Sequence, residues 1–113
     1  MNKLSNIFAS LALLHYTSGA LAQTPAGPSP IAALVSPGAT SQCALFKLVG
    51  VAQADPVVPG QAWFALPMSN VGFHEQFAVL LTAAFNNHAI FLQTTGQATC
   101  GFAQVDYLGA NLP

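Results

Sequence analysis

The chain has 113 residues, 53% of them hydrophobic and only 4% charged, with a formal net charge of −1. Two Lys or Arg residues in the whole chain cannot neutralise a row of phosphates, so nucleic acid is excluded as a partner, and electrostatic attachment to anionic lipid is disfavoured. The length allows one small domain.

Residues 1–22 read as a secretory signal peptide. Lys3 supplies the positive start, Ile7 to Leu14 the apolar run, and Ala20-Leu21-Ala22 the small residues that place cleavage before Gln23. A membrane anchor is the alternative, but His15, Tyr16, Thr17, Ser18 and Gly19 interrupt the run well short of the roughly 20 residues that span a bilayer. The expected location is therefore secreted or periplasmic, with no membrane anchor. Past the cleavage point, Lys47 faces Asp55, Glu75 and Asp106. So little charge beside so much apolar surface leaves homo-oligomerisation or a partner open, with small size alone as the competing explanation.

Residues 23–42 are rich in Pro, Gly, Ala, Ser and Thr and read as a leader. Within it, Ile31-Ala32-Ala33-Leu34-Val35 is either an edge strand between prolines or part of the linker. Residues 43–110 form the expected single domain. Cys43 to Val51 is a strand with two largely apolar faces, from which only Lys47 must reach water. Asp55-Pro56 and Pro59-Gly60 mark turns around a surface loop. Gln61 to Leu66 is a second strand stopped by Pro67, with Trp63 and Phe64 on opposite faces.

Asn70 to Asn86 is the one helix. Phe73, Phe77, Leu80, Leu81 and Ala84 line one face, Ser69 or Asn70 caps the start, and Glu75 suits the positive end of the dipole. Asn86-Asn87 ends it, because Asn tolerates the left-handed conformation. His88 to Thr94 is a third strand, Thr95-Gly96-Gln97 a turn, and Cys100 to Leu108 the last strand. Cys43 and Cys100 are expected to form a disulfide, since a cysteine pair in a small secreted domain usually does. They make a poor zinc site, having no close Cys or His companion. The fold class is α+β: a small antiparallel sheet, or a five-stranded OB-like barrel if Ile31–Val35 is a strand, with the helix between the third and fourth strands.

The strand ending at Trp63, the Phe-rich helix and the His88-Ala89-Ile90-Phe91 strand follow in an order that resembles the receptor-binding B subunits of bacterial subtilase-type and pertussis-like toxins. That resemblance, over Cys43 to Leu108, implies a secreted OB-fold, pentameric assembly and binding of cell-surface glycans. The chain departs from the family in having two cysteines and few polar residues where a sugar would need them, so no binding residue carries over. Ala62 to Pro67, Leu80 to Ala84 and Cys100-Gly101 also resemble short secreted bacterial proteins of unassigned role, which implies no activity.

Catalytic chemistry finds little support. His74 and Glu75 are helix neighbours whose side chains diverge by about a hundred degrees, which suits a structural role. His88 and Asp106 are the start of a triad without a nucleophile motif, and nothing in the spacing gathers His74, His88 and Asp106 around a metal. No phosphate-binding glycine loop opens the helix. No catalytic residue, cofactor or metal is expected, and the chain is read as a non-enzyme. Trp63, Gln104, Asp106 and Tyr107 are the candidate ligand or partner face, because aromatic rings beside polar groups dominate such contacts. The expected function is a secreted interaction module for a protein or glycan. A periplasmic inhibitor or accessory subunit of an envelope protein is the alternative, and a small hydrolase the third reading.

Overall fold

A computed structural model describes residues 23–112. The signal peptide expected over residues 1–22 lies outside the described residues. Six strands and one helix follow in the order β1 (Pro25–Ser29), β2 (Ile31–Val35), β3 (Cys43–Leu48), β4 (Phe64–Pro67), α1 (Phe73–Asn86), β5 (Ile90–Thr99) and β6 (Phe102–Ala110). The fold is α+β, and its sheet is mixed: β1-β5-β6-β4-β3-β2, antiparallel except where β4 runs parallel to β6. The purely antiparallel four- or five-stranded sheet expected from the sequence is thus corrected to six strands with one parallel pair. The sheet is not closed by a ladder between its edges.

Those two edges nevertheless belong to one stretch of chain. β1 pairs with β5 and β2 with β3, yet only Pro30 separates them. The sheet therefore has to curl until its first and last strands meet end to end. The Pro-rich stretch read as a leader is part of the sheet, and Ile31–Val35 is the edge strand that the pattern left open. Gly27 makes this possible. It sits at φ 83 where the β1–β5 register shifts, and a Cβ there would lie 2.2 Å from the Ile90 carbonyl oxygen. Only glycine combines that backbone conformation with so close an approach.

Ala44, Phe46 and Leu48 of β3 alternate into the core, where the Phe46 ring stacks on Phe64 of β4 at 5.3 Å. Each buried Phe contributes about 1.5–3 kcal/mol of transfer free energy. Ile90 and Leu92 of β5 and Val105 of β6 face the same space. β4 is shorter than the expected Gln61–Leu66, and it includes Pro67, which pairs with Cys43. Proline is tolerated there because the β4–β6 ladder extends only over Phe64 and Ala65, so no donor is missed.

α1 covers the core with Phe73, Leu80 and Ala83 buried and Phe77 packed against the cluster. The expected face is corrected at its end: Ala84 is exposed and Ala83 is buried in its place. Neither Ser69 nor Asn70 caps the helix. Gly72 occupies that position without a side-chain cap, and the Asn70 amide instead donates to the Val105 carbonyl at 3.1 Å, tying the helix start to β6. Asn87 does end the helix in the left-handed conformation at φ 54, with the Asn87 and His88 N–H groups both reaching the Ala83 carbonyl.

Thr95-Gly96-Gln97 is not a turn. It lies within β5 as an irregularity between Thr94 and Ala98, and the chain reverses instead at Cys100 and Gly101, at φ 53 and 82. Two successive positive φ values suit a tight hairpin between twisted strands. The disulfide Cys43–Cys100 is formed, with Cα atoms 6.5 Å apart and a sequence separation of 57. Closing a loop of that length stabilises the fold by roughly 4 kcal/mol in the chain-entropy account. Cys43 and Ala65 are 1% and 0% exposed but stand outside the core cluster, on the opposite face of their strands. The disulfide brings the β5–β6 hairpin turn onto that outer face. Among the described residues, no helix is long and apolar enough to cross a membrane.

Gly27→Ala should destabilise the fold by more than about 1 kcal/mol, because alanine strains a positive φ and its methyl meets the Ile90 carbonyl. Urea unfolding checks this: a lowered midpoint is expected, and an unchanged one would contradict the placement of β1 against β5.

Candidate functional site

Strand alternation and one irregularity set the outer face of β5 and β6. Leu92 and Leu108 pair and point to the core, so Phe91, Gln93, Tyr107 and Gly109 point outward. Phe91 pairs with Gly109 and Gln93 with Tyr107. A Cβ on Gly109 would lie 2.6 Å from the Phe91 ring, so the ring lies flat over the glycine. The Tyr107 hydroxyl donates to the Gln93 side-chain oxygen Oε1 at 2.7 Å, and the Gln93 side-chain amide donates to Gln23 Oε1 at 2.9 Å. Phe91 and Tyr107 are 40% and 50% exposed, which leaves two ring faces and a line of amides in water. Each glutamine amide carries two donors and an acceptor, so the line keeps hydrogen-bonding capacity for a ligand.

Of the four residues singled out by sequence, Gln104, Asp106 and Tyr107 lie along β6. Asp106 falls opposite the register shift between Gln93 and Thr94, with its side chain exposed and its carbonyl accepting from the Gln76 amide at 3.1 Å. Trp63 stands apart. It precedes the Phe64–Ala103 pair, roughly 15 Å back along β6 from Tyr107 at about 3.3 Å per residue. The Lys47 ammonium sits 5.0 Å over its ring, a cation–π contact that uses the one Lys or Arg among the described residues. Phe91, Gln93 and Gln23 are not among the residues the sequence singles out. The alternation of Phe91 with Leu92 was visible, but which of the two faces water depends on the partner strand.

His74 and Glu75 are exposed in the first helical turn, and the Phe73 ring stands edge-on to His74 at 5.6 Å. His88 and Asp106 are not brought together. Ile90 pairs with Ala110, so His88 lies beyond that end of the ladder, and Asp106 is about 13 Å or more back along β6. Among the described residues, no three His, Cys, Asp or Glu side chains gather in a way that could hold a metal ion.

The buried polar centre is elsewhere. Asp55, expected at a turn beside a surface loop, is 1% exposed. One of its oxygens accepts from the Val57 N–H at 2.8 Å and the other from the Thr94 hydroxyl. The Thr94 hydroxyl in turn accepts from the Thr24 N–H at 2.9 Å, and the Thr94 N–H donates to the Thr24 carbonyl at 3.0 Å. One carboxylate thereby fastens the loop before β4 to β5 and to the start of β1. Burial pushes its pKa up, while the Thr94 hydroxyl, the Val57 N–H and the Thr24 hydroxyl pull it down, and the hydrogen bonds prevail: the carboxyl titrates below its ordinary value. The Asp55–Val57 contact is an Asx turn that local sequence could have suggested. Thr94, 39 residues away, could not have been foreseen.

The chain matches no family model, no curated protein and no solved structure.

Because the folded carboxyl titrates below the ordinary value of about 3.9, its contribution to stability is fully present above that pH. It is lost as pH falls through the lower folded value. Asp55→Asn should cost about 1–3 kcal/mol at neutral pH by weakening this network and should flatten the loss of stability below about pH 4. Unfolding midpoints of both proteins between pH 2 and 7 check this, and parallel profiles would refute it.

Proposed function

We propose that this chain is a secreted, disulfide-stapled binding module without catalytic activity, with its ligand, a protein or a glycan, held on the outer face of β5 and β6. The observation that carries this reading is the exposed line Phe91, Tyr107, Gln93 and Gln23. Rigid aromatic rings offer contact area at low entropic cost, and amides beside them fix orientation. The surface is built on paired strands, so little ordering is needed on binding. The sequence of residues 1–22 and the Cys43–Cys100 bridge support export to an oxidising compartment.

The scaffold is an OB-like barrel in this reading. An OB-fold is a partly open five-stranded Greek-key barrel. Counting β1 and β2 as one strand bent at Pro30 gives five strands, with the helix between the third and the fourth. The separation of His88 from Asp106 favours binding over hydrolysis.

Immobilised glycans and cell-surface protein fractions, offered separately to the chain, test the reading and identify the ligand class. The wild-type protein should be retained by one of the two, and Tyr107→Ala combined with Gln93→Ala should weaken retention tenfold or more, about 1.4 kcal/mol, without lowering the unfolding midpoint. Retention untouched by the double substitution would refute the assignment of the face. Absence of retention by either class would refute the function.

A further inference from the structure

We propose that two copies of this chain associate across a two-fold axis through the outer face of α1, with Phe85 of each copy seated in the other's groove. The groove has a volume of about 210 Å³. It is lined by Ala78, Val79, Thr82 and Ala83 of α1, by His88 just past the helix, and by Ala110 and Leu112 at the end of β6. Phe85 is 86% exposed and Leu112 76%, so a large ring stands in water beside an unfilled apolar hollow.

The ring and the hollow share one patch. Phe85 follows Thr82 by three residues and Ala78 by seven, which puts all three on one side of the helix. A two-fold axis joins a patch to itself, so a patch carrying both a projection and a matching recess is self-complementary. The sizes agree, since an apolar cavity of about 150 Å³ takes up benzene. A lone groove would fit many apolar partners. A groove with its own plug beside it fits a second copy.

Burial of this patch meets no electrostatic obstacle. From Gln76 to Val105 the sequence contains no Asp, Glu, Lys or Arg. Two polar side chains on this face are already bonded within the helix: the Thr82 hydroxyl donates to the Ala78 carbonyl at 2.8 Å and the Asn86 amide to the Thr82 carbonyl at 2.9 Å. A second copy can therefore cover the Thr82 hydroxyl without stranding its donor, while the His88 ring and the second Asn86 amide hydrogen need a partner or water at the rim.

Light scattering and sedimentation of the chain from Gln23 onward, over a range of concentrations, test the proposal. The wild type should show a concentration-dependent shift to twice the monomer mass. Phe85→Glu should be monomeric throughout, with the unfolding midpoint that the wild type shows at dilutions where it is also monomeric, because the site is exposed. Phe85→Ala should raise the dimer dissociation constant tenfold or more, and it keeps the test decisive should the glutamate variant prove unstable. Ala78→Trp, which fills the groove, should have the same effect. A wild type that stays monomeric at millimolar concentration would overturn the proposal, as would a dimer or larger ring whose mass survives all three substitutions.

Discussion

The fold depends on one extended segment serving both edges of the same sheet. β1 and β2 run on from each other through Pro30, yet one pairs with β5 and the other with β3. Four strands lie between them in the hydrogen-bonded order, so the sheet can satisfy both pairings only by curling around its contents. Those contents are the stacked Phe46 and Phe64 rings and the aliphatic side chains of β5 and β6, with α1 laid over them. The curl makes a small core possible, because it covers each apolar residue from several sides. Gly27 sets how closely β1 approaches β5, and Asp55 fastens the result by linking a loop to both strands.

The same curl divides the outside of the sheet into two regions of different character. Over β3 and β4 the disulfide brings the β5–β6 turn against the strands, and Cys43 and Ala65 are buried there without belonging to the core. Over β5 and β6 the rings of Phe91 and Tyr107 remain in water beside their amides. A covalent staple thus holds the hairpin whose strands carry the exposed rings. In the proposed reading as a binding module, a surface held that firmly would leave little ordering to be done on binding. Lys47 is committed to the Trp63 ring and Asp55 to its hydrogen bonds, which leaves Glu75 and Asp106 as the exposed charges among the described residues.

Much of the architecture was legible because local signals agreed. Helical spacing announced α1, Asn87 announced its end, and the cysteine pair announced the bridge. The departures share a cause: each was decided by a partner distant in sequence. Pro25 to Ser29 looks like a linker until β5 is alongside it, because its proline content speaks against a strand and only an edge position excuses it. Thr95-Gly96-Gln97 has turn composition, but pairing with β6 carries it through as a bulged strand. Asn70 has the chemistry of a cap and spends its amide on Val105 instead. Ala83 and Ala84 are equivalent by composition, and only the angle of the helix on the sheet separates them. For the candidate face, Tyr107 could be chosen from its type and its place in a strand. Its neighbours Gln93 and Gln23 belong to other elements and appear only when the register is known.

The central claim is that residues 23–35 are part of the folded body. Its most direct test is a chain beginning at Ser36, which keeps both cysteines and the helix but lacks β1 and β2, compared with the chain from Gln23 by urea unfolding and near-ultraviolet circular dichroism. Loss of the aromatic signal and of a cooperative transition is predicted, because both edges of the sheet and the Thr24 contacts to Thr94 disappear together. A truncated chain that unfolds cooperatively at the same midpoint would contradict the account.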